Sequence, residues 1–486
     1  MRALTSAELV ERVLAVPGGP NTSGRVVIVT EDSEAALRWA NNTMTTNGHS
    51  TSVSWTVISL VALSPGGGPD ADGGTGAGVV SSSALVTDPA TVEDAVRASE
   101  AAALSSGPAR DAAPLPEPGA TVGEPWDDPV EGTSIGVFGE FAPTLADAFS
   151  RAGSGKRILY GFAHHQVSTT WLGTSTGVRL RWTQPTGSVE VNAKTSDLAR
   201  SAWAGRSAAT ARDFDELDVA GLDAELSGRL AWGERRLELP AGRYPTILPP
   251  ACVADLMTYM CWEMAGRPAQ EGRSAFSAPP GTGRPTRLGE RLSSLPLTLS
   301  TDPAAGDGLG CSPFLVTAHS GDEVSVFDNG APLRRVDWVA DGVLNALAYP
   351  RAAAERFSGS GAEFTAPADN LILTGNSQVP LEELVSGTER GLLLTCLWYI
   401  RMVDPASLLL TGLTRDGVYL VEHGEVVGEV NNFRFNESPL DILRRITAAG
   451  VAERTLPREF KDWFTRTVMP AVIVPDFNMS STSRAS

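Results

Sequence analysis

The strongest indication of the fold of this chain comes from residues 387–436, GTERGLLLTCLWYIRMVDPASLLLTGLTRDGVYLVEHGEVVGEVNNFRFN. They hold three short apolar runs, each bounded by polar residues, at positions 392–400, 408–413 and 418–427. His423-Gly424 lies between two alternating apolar segments, which is typical of a tight β-hairpin with a positive φ at the glycine. Asp404-Pro405 interrupts the chain between the first two runs. The stretch therefore predicts consecutive antiparallel strands in a buried sheet.

Outward from this stretch, the sequence predicts an α+β protein, with N-terminal α/β modules followed by a large antiparallel β domain. Composition shifts and turn signals predict a first α/β module at residues 1–106, a Pro/Ala/Gly-rich linker at 107–130, a second α/β module at 131–240, a mainly antiparallel β domain at 241–479 and a disordered tail at 480–486. The glycine-rich residues 64–78 lack a complete G-x-G-x-x-G and predict a loop.

Turn and capping signals place individual elements. Asn47-Gly48 predicts the turn of a β-hairpin over residues 36–61, and Asn329-Gly330 predicts a second hairpin. Helices are predicted at residues 5–16 (with Ser6 as the cap), 88–106, 141–151, 196–206, 217–230, 252–265 and 438–450.

Length, charge and cysteine usage narrow the class of protein. The 486 residues have a formal net charge of −18, which argues against a nucleic-acid backbone as partner. No run of about 18 apolar residues is present, so no membrane span is expected. The N-terminal segment MRALTSAELVERVLAVPGG contains acidic residues and lacks a long apolar region, so no signal peptide and a cytoplasmic location are expected. The four cysteines form no CxxC pair, which predicts reduced, mainly buried thiols.

The opening stretch resembles the C-terminal part of the TldD/TldE (PmbA) proteins. In that family a strand beginning GLxxT, a Thr-Gly step, a glycine-led hairpin ending in E-x-G-E and an Asn-Asn exit follow in this order. The matching elements here are residues 391–395, 411–412, 417–425 and 431–432. Residues 248–260, 328–330 and 370–391 are also similar to family segments. The resemblance covers the last half of the chain well and the first half loosely, and it implies a TldD/PmbA-like fold.

Zinc-bearing members of this family share an HExxxH motif on a helix and a cysteine near the C-terminus. Two histidines about a turn apart can reach one zinc ion, and the glutamate between them can polarise the attacking water. The corresponding residues 248–265, LPPACVADLMTYMCWEMA, contain no histidine, and residues 467–480, TVMPAVIVPDFNMS, contain no cysteine. This pattern resembles the TldE (PmbA) branch, whose members lack the metal motif and pair with a TldD partner.

The resemblance implies a non-catalytic TldE-like subunit of a heteromeric zinc metallopeptidase that processes or degrades extended peptides. It implies a TldD-like partner in a heterodimer, zinc in that partner, and no catalytic, cofactor-binding or metal-binding residue in this chain. The chain would help enclose the chamber and bind the peptide, whose backbone can add to a sheet edge without specific side chains. The alternative is a homo-oligomeric peptide-binding or scaffold protein without enzymatic activity.

A further alternative is an enzyme with rearranged metal chemistry at His164 or His165. Adjacent residues of a strand point to opposite faces, so these two histidines are not expected to share an ion. The other histidines are His49, His319 and His423. Cys252 and Cys261 would lie about 13 Å apart along one helix, at ~1.5 Å per residue, which is too far for a single ion.

Three other patterns have structural interpretations. Residues 173–177, GTSTG, match G-x-S-x-G, but a strand rather than a helix is predicted to follow, which indicates a glycine-rich turn. Residues 153–157, GSGKR, lack the first glycine and the Ser/Thr of a P-loop and indicate the end of a helix. Asp404, Glu422 and Glu425 could form an acidic pair, although solvated carboxylates at strand ends are the simpler interpretation.

Overall fold

Two β-sheets organise the polypeptide. The computed structural model describes residues 3–64, 74–83, 85–119, 121–462 and 464–483. Within these ranges, one six-stranded sheet forms from the N-terminal half and one fourteen-stranded sheet from the C-terminal half. No helix in the described part is long and apolar enough to cross a membrane. The arrangement confirms the α+β class.

The six-stranded sheet is antiparallel, with strand order β3-β2-β1-β4-β5-β6. Its strands are β1 Thr22–Ala40, β2 Thr43–Ala62, β3 Thr75–Ser82, β4 Arg157–Thr174, β5 Arg179–Thr195 and β6 Ser201–Ser207. The accompanying helices are α1 Ser6–Ala15, α2 Pro89–Ser105, α3 Phe141–Ser154, α4 Ala211–Asp215 and α5 Val219–Trp232, with a 3₁₀ turn at Ile135–Phe138. Because β1 pairs with β4, strands from both predicted modules join in one sheet. The predicted module boundaries remain predictions.

The two faces of this sheet have different neighbours. Val27 and Val29 of β1 belong to a core with α1 and α2, whereas the alternate residues Val26 and Ile28 belong to a core with Phe314 and other residues of the C-terminal half. This division follows from the two-residue period of a strand. The sheet therefore carries helices on one face and contacts the C-terminal half with the other.

Three local predictions in the N-terminal half are wrong: the position of the β1–β2 turn, the cap of α1, and the helix over residues 196–206. The β1–β2 hairpin turns at Asn41-Asn42, with φ of 53° and 57°, and Asn47 and Gly48 lie inside β2. Two consecutive asparagines in the left-handed region meet the requirement of a type I′ turn as well as Asn-Gly does. Helix α1 is capped by Thr5 rather than Ser6, in a capping box with Glu8.

The predicted helix over residues 196–206 is instead a turn followed by β6. The alanine-rich composition suggests a helix, but Ala202, Trp203 and Ala204 are all buried and β5 offers a partner edge along its length. Tertiary pairing thus overrides local propensity here. The predicted helices at 88–106, 141–151 and 217–230 correspond to α2, α3 and α5.

The fourteen-stranded sheet is mainly antiparallel. Its strands are β7 Arg236–Leu237, β8 Gly242–Leu248, β9 Thr298–Thr301, β10 Val336–Ala340, β11 Val343–Leu344, β12 Leu371–Thr374, β13 Arg390–Leu394, β14 Leu397–Asp404, β15 Leu409–Thr414, β16 Val418–Glu422, β17 Glu425–Val430, β18 Phe433–Glu437, β19 Ala448–Thr455 and β20 Thr467–Thr482. Parallel pairs occur at β8–β13, β12–β20 and β7–β17. The helices are α6 Pro250–Trp262, α7 Gly266–Gln270, α8 Arg351–Arg356, α9 Leu381–Ser386 and α10 Pro439–Arg445.

The opening stretch forms strands β13 to β18, as its pattern predicts. The β16–β17 hairpin turns at His423-Gly424, with φ of 52° and 81°. The first apolar run, however, is two strands, because the chain breaks at Thr395-Cys396 between β13 and β14. β13 pairs with β8 and β16, whereas β14 pairs with β15.

Other C-terminal predictions need correction. The Asn329 side chain bonds to the backbone of Thr317 and Val326, so Asn329-Gly330 lies in an irregular loop and not in a hairpin. The helix predicted at 438–450 is shorter: α10 ends at Arg445 and is followed by β19.

Two predicted irregular segments are partly strands. β20 continues to Thr482, into the segment predicted as a disordered tail, while residues 484–486 lie outside the described residues. The predicted loop at 64–78 falls mostly on residues 65–73, also outside them, and β3 begins at Thr75.

Candidate functional site

Helix α6 occupies the segment in which the family resemblance would place a zinc motif. Its sequence, PACVADLMTYMCW, is mostly apolar, and ten of its thirteen residues are buried, as expected of a helix within a protein core. Pro250 stands in its first turn, where proline is favoured because no N–H partner is lost. The side chains that could carry chemistry here are Cys252, Asp255 and Cys261, and all three are buried.

Asp255 is bonded by the backbone of a neighbouring loop. Its carboxylate accepts hydrogen bonds from the N–H groups of Arg458 at 3.1 Å, Glu459 at 2.9 Å and Phe460 at 3.2 Å. Burial raises the pKa of Asp255 to about 8, and the three N–H donors oppose that rise because they favour the carboxylate. Both oxygens are therefore committed to holding the loop at 458–460 against α6.

The two cysteines of α6 are equally unsuited to a metal. The Cys252 thiol donates to the carbonyl oxygen of Leu394 at 3.2 Å. Burial raises the pKa of Cys252 well above its usual range and that of Cys261 to about 12. Zinc binds the thiolate. These residues do not fit a zinc ion, and in the described ranges no group of three or more His, Cys, Asp or Glu side chains is placed to hold a metal.

The histidines singled out in the sequence have separate environments. His165 is buried, with Nδ1 2.7 Å from Thr133 Oγ1 and Nε2 3.1 Å from the Ala209 carbonyl oxygen. His164 stacks on Phe162 instead and lies 3.9 Å from Glu34. Burial lowers the pKa of both imidazoles. Their different surroundings agree with side chains on opposite faces of β4.

The remaining motifs take structural positions. The GTSTG segment is the turn between β4 and β5, where Gly177 has φ of +100° and the Ser175 hydroxyl accepts from the N–H of Arg25. The GSGKR segment ends α3 and enters β4. Asp404 accepts from the N–H of Ala406, whereas Glu422 pairs with Arg390, so these carboxylates have separate partners.

A cleft of about 760 Å³ lies where the two halves of the chain meet. Its walls come from β5, the turn before β6, β7, β17 and the turn between β15 and β16. Five basic side chains line it: Lys194, Arg200, Arg236, Arg415 and Arg458. Three acidic side chains accompany them: Glu238, Asp416 and Glu429. Sequence reasoning missed this cleft, because its residues come from seven separate segments with no shared motif.

Arg458 lines the cleft with a side chain that is largely buried. Its guanidinium carbon lies 4.9 Å from the ring centre of Trp203 and 4.7 Å from that of Trp398. It also pairs with Glu190 at 3.2 Å. Trp203 and Glu190 belong to the first sheet, while Arg458 and Trp398 belong to the C-terminal half. The stacked guanidinium thus fixes the two halves together beneath the cleft.

Hydrogen bonds hold the other walls of the cleft in place. Arg200 donates to the carbonyl oxygen of Leu230 at 2.7 Å. Ser201 donates to Asp416, across the boundary between the two halves. Asn431 accepts from the N–H of Leu239 at 2.8 Å. These contacts give the cleft a defined shape.

Sequence comparisons match both halves around this cleft to one family. The sequence model of the PmbA/TldA metallopeptidase central domain matches residues 132–233, and that of the C-terminal domain matches residues 241–481. The chain belongs to the PmbA/TldD family. The resemblance found in the opening stretch is thereby confirmed at the level of the family.

Solved structures share the PmbA/TldD fold over nearly the whole chain. TldE from Thermococcus kodakarensis is 15% identical with a TM-score of 0.70, and the match covers 94% of this chain and 96% of that one. A proposed modulator of a DNA gyrase from Thermotoga maritima is 18% identical with a TM-score of 0.69, covering 98% and 100%. Another, from Bacteroides thetaiotaomicron, is 14% identical with a TM-score of 0.70, covering 97% of each. At these identities the likeness shows the fold alone. No curated protein matches the sequence.

Proposed function

We propose that this chain is the non-catalytic, TldE-like subunit of a heteromeric TldD–TldE zinc metallopeptidase. The main support for the proposal is that α6, in a member of a metallopeptidase family, has no side chains suited to bind zinc. The helix has no histidine, its carboxylate is committed to three backbone N–H groups, and its thiols are buried. A TldD-like partner would therefore bring the zinc and the glutamate that activates water.

The role of this chain in the complex would be to enclose the chamber and help hold an extended peptide. The cleft between its two halves supports this role, because about 760 Å³ lies within the size range of ligand sites, roughly 300–1,000 Å³. Extended peptides are held by backbone hydrogen bonds at a strand edge together with pockets for side chains. Such binding requires no catalytic group in this chain.

Co-expression tests the proposal. The chain is produced alone, and with a TldD-type relative that carries HExxxH, and each sample is assayed for zinc by mass spectrometry and for cleavage of unstructured peptides. We expect a stable heteromeric complex, with zinc and cleavage only when the partner is present. A partner whose HExxxH glutamate is replaced by glutamine serves as the control and should assemble without cleaving.

The same experiment distinguishes the alternative function. A lone chain that forms a stable homo-oligomer and binds peptides, and that neither associates with the partner nor changes its activity, would favour a peptide-binding scaffold. Stoichiometric zinc with full cleavage in the lone chain would contradict both functions. Substituting His164 and His165 by alanine would then show whether either residue holds that metal.

A further inference from the structure

We propose that the cleft between the two halves recognises a carboxylate group of an extended peptide. The inference rests on the peptide-binding role proposed above and adds a chemical feature of the substrate. The charge balance points to an anion. The chain as a whole has 39 basic and 57 acidic residues, whereas five basic and three acidic side chains line the cleft. A concave site lined with an excess of one charge concentrates ligands of the opposite charge.

Two of the cations have donors available for a ligand. The Arg415 guanidinium makes no side-chain hydrogen bond to the described residues; it lies 3.5 Å from Asp416 and 5.8 Å from the ring centre of Trp398. The Lys194 ammonium lies 5.9 Å from the ring centre of Tyr160 and has no ion-pair partner in the described part of the chain. Arg415 belongs to the C-terminal half and Lys194 to β5, so each half contributes one cation with free donors.

The acidic residues of the cleft offset these two cations only in part. Asp416 pairs with Arg415 through one carboxylate oxygen and accepts a hydrogen bond from Ser201, at the start of β6, through the other. Burial raises the pKa of Glu429, and the nearby Arg236 and Arg200 oppose that rise. Glu238 is exposed at the rim. Arg415 and Lys194 therefore remain the groups best placed to meet an incoming anion, which an arginine can bind through two parallel N–H donors.

Strand edges and amides in the same walls favour a peptide over a small inorganic anion. β6 ends the six-stranded sheet and β7 ends the main path of the fourteen-stranded sheet. Ser201 at the start of β6 and both residues of β7 line the cleft. Asn192 and Asn431 add side-chain amides. An extended backbone can pair with such an edge while a carboxylate reaches the cations. The carboxylate could be the peptide's C-terminus or an Asp or Glu side chain.

Peptide binding to the isolated full chain tests the inference. The probes are three forms of one short Ala/Ser peptide with a neutral N-terminal BODIPY label that has no carboxylate: a free C-terminal acid, a C-terminal amide, and an amide that carries one internal glutamate. Fluorescence anisotropy gives each Kd at low and moderate salt. At least one carboxylate-bearing form should bind about fivefold or more tightly than the plain amide, and the form that does so identifies the source of the carboxylate.

Variants locate the binding in the cleft. Arg415→Gln and Lys194→Gln should each remove most of the preference for the carboxylate form and leave the weak binding of the plain amide unchanged. Arg390→Gln and Lys156→Gln, which lie outside the cleft, are the matched controls and should bind like the original chain. Thermal unfolding of every variant verifies that the fold is retained.

Three results would overturn the inference: equal Kd values for the acid and amide forms, a preference unaffected by the two cleft variants, or inorganic phosphate that displaces the acid peptide at equal concentration. Assembly with a TldD-type partner is measured separately. A carboxylate preference that depends on Arg415 supports the inference even where no complex with the partner forms, so failure of the proposed function and failure of this inference give different results.

Discussion

Asp255 illustrates how a buried carboxylate on α6 can serve the fold. We expect Asp255→Asn to lower the free energy of unfolding by about 2 kcal/mol, because the amide nitrogen would face an N–H donor that then lacks an acceptor. Urea denaturation measures the change. Asp215→Asn, an exposed position outside α6, should stay within about 0.5 kcal/mol of the original chain. Equal stability of both variants would show that the loop at 458–460 does not depend on Asp255.

His165 predicts a pH dependence of stability. Burial lowers the pKa of this imidazole in the folded state, with the Ala209 carbonyl and Asp213 opposing and His164 adding to the shift. Its contribution is therefore fully present above the unfolded pKa of about 6.5 and is lost as the pH falls toward the folded value. His165→Gln should flatten the fall in unfolding free energy between pH 7 and pH 5, by at most about 1.4 kcal/mol per pH unit.

The control for that measurement is the exposed His423, which pairs with Glu389 at 2.7 Å with side chains 83% and 80% exposed. His423→Gln should retain the pH dependence of the original chain. If His165→Gln also retains it, protonation of His165 is not coupled to unfolding.

Among the secondary-structure elements, the β1–β2 hairpin turns at Asn41-Asn42 in the structure, whereas the sequence predicts the turn at Asn47-Gly48. Asn42 has a positive φ, and its side chain bonds to the backbone of Arg157 and Leu159 at 2.8 and 2.7 Å. Asn42→Ala should therefore cost about 2 kcal/mol of unfolding free energy. Asn47→Ala should cost less than about 0.5 kcal/mol, because Asn47 is an exposed strand residue. If urea denaturation showed that Asn47→Ala costs more unfolding free energy than Asn42→Ala, the turn would lie at Asn47-Gly48.

The elements that could be predicted are those whose signals are local. The β16–β17 hairpin at His423-Gly424 and the helices α2 and α5 depend on turn residues, caps and periodicity within their own segments. The segment 196–206 was not predictable in this way, because the edge of β5 and not its alanine content decides that it forms β6. The break between β13 and β14 was also hidden, since Thr395-Cys396 carries no Gly or Pro signal.

At the scale of the whole molecule, Arg458 joins the two halves. Arg458→Gln removes a guanidinium stacked between two indoles and its ion pair with Glu190, which retains Lys461 at 3.2 Å. We expect a loss of about 2–3 kcal/mol in unfolding free energy. Arg401→Gln, with a side chain 62% exposed, is the matched control and should be near neutral. Comparable losses of unfolding free energy in both variants would mean that stacking of Arg458 on the two indoles adds nothing to stability.

The family and the overall class could be predicted from the C-terminal stretch alone, but the cleft could not. Lys194, Arg236, Arg415 and Arg458 are far apart in sequence, and only the junction of the two sheets brings them into one cavity. Scattered arginines in an acidic chain carry no periodic signal. The absent histidines of residues 248–265 were visible in the sequence, whereas the commitment of Asp255 to the loop at 458–460 required the structure.

We propose that the TldD-type partner carries out the reaction and that both subunits contact the peptide. The most direct measurement compares zinc content and peptide cleavage of the lone chain, the lone TldD-type partner and the co-purified complex. We expect zinc in every sample that contains the partner, full cleavage only in the complex, and loss of cleavage when the partner's HExxxH glutamate is replaced by glutamine. Zinc bound by the lone chain together with cleavage at the rate of the complex would contradict it.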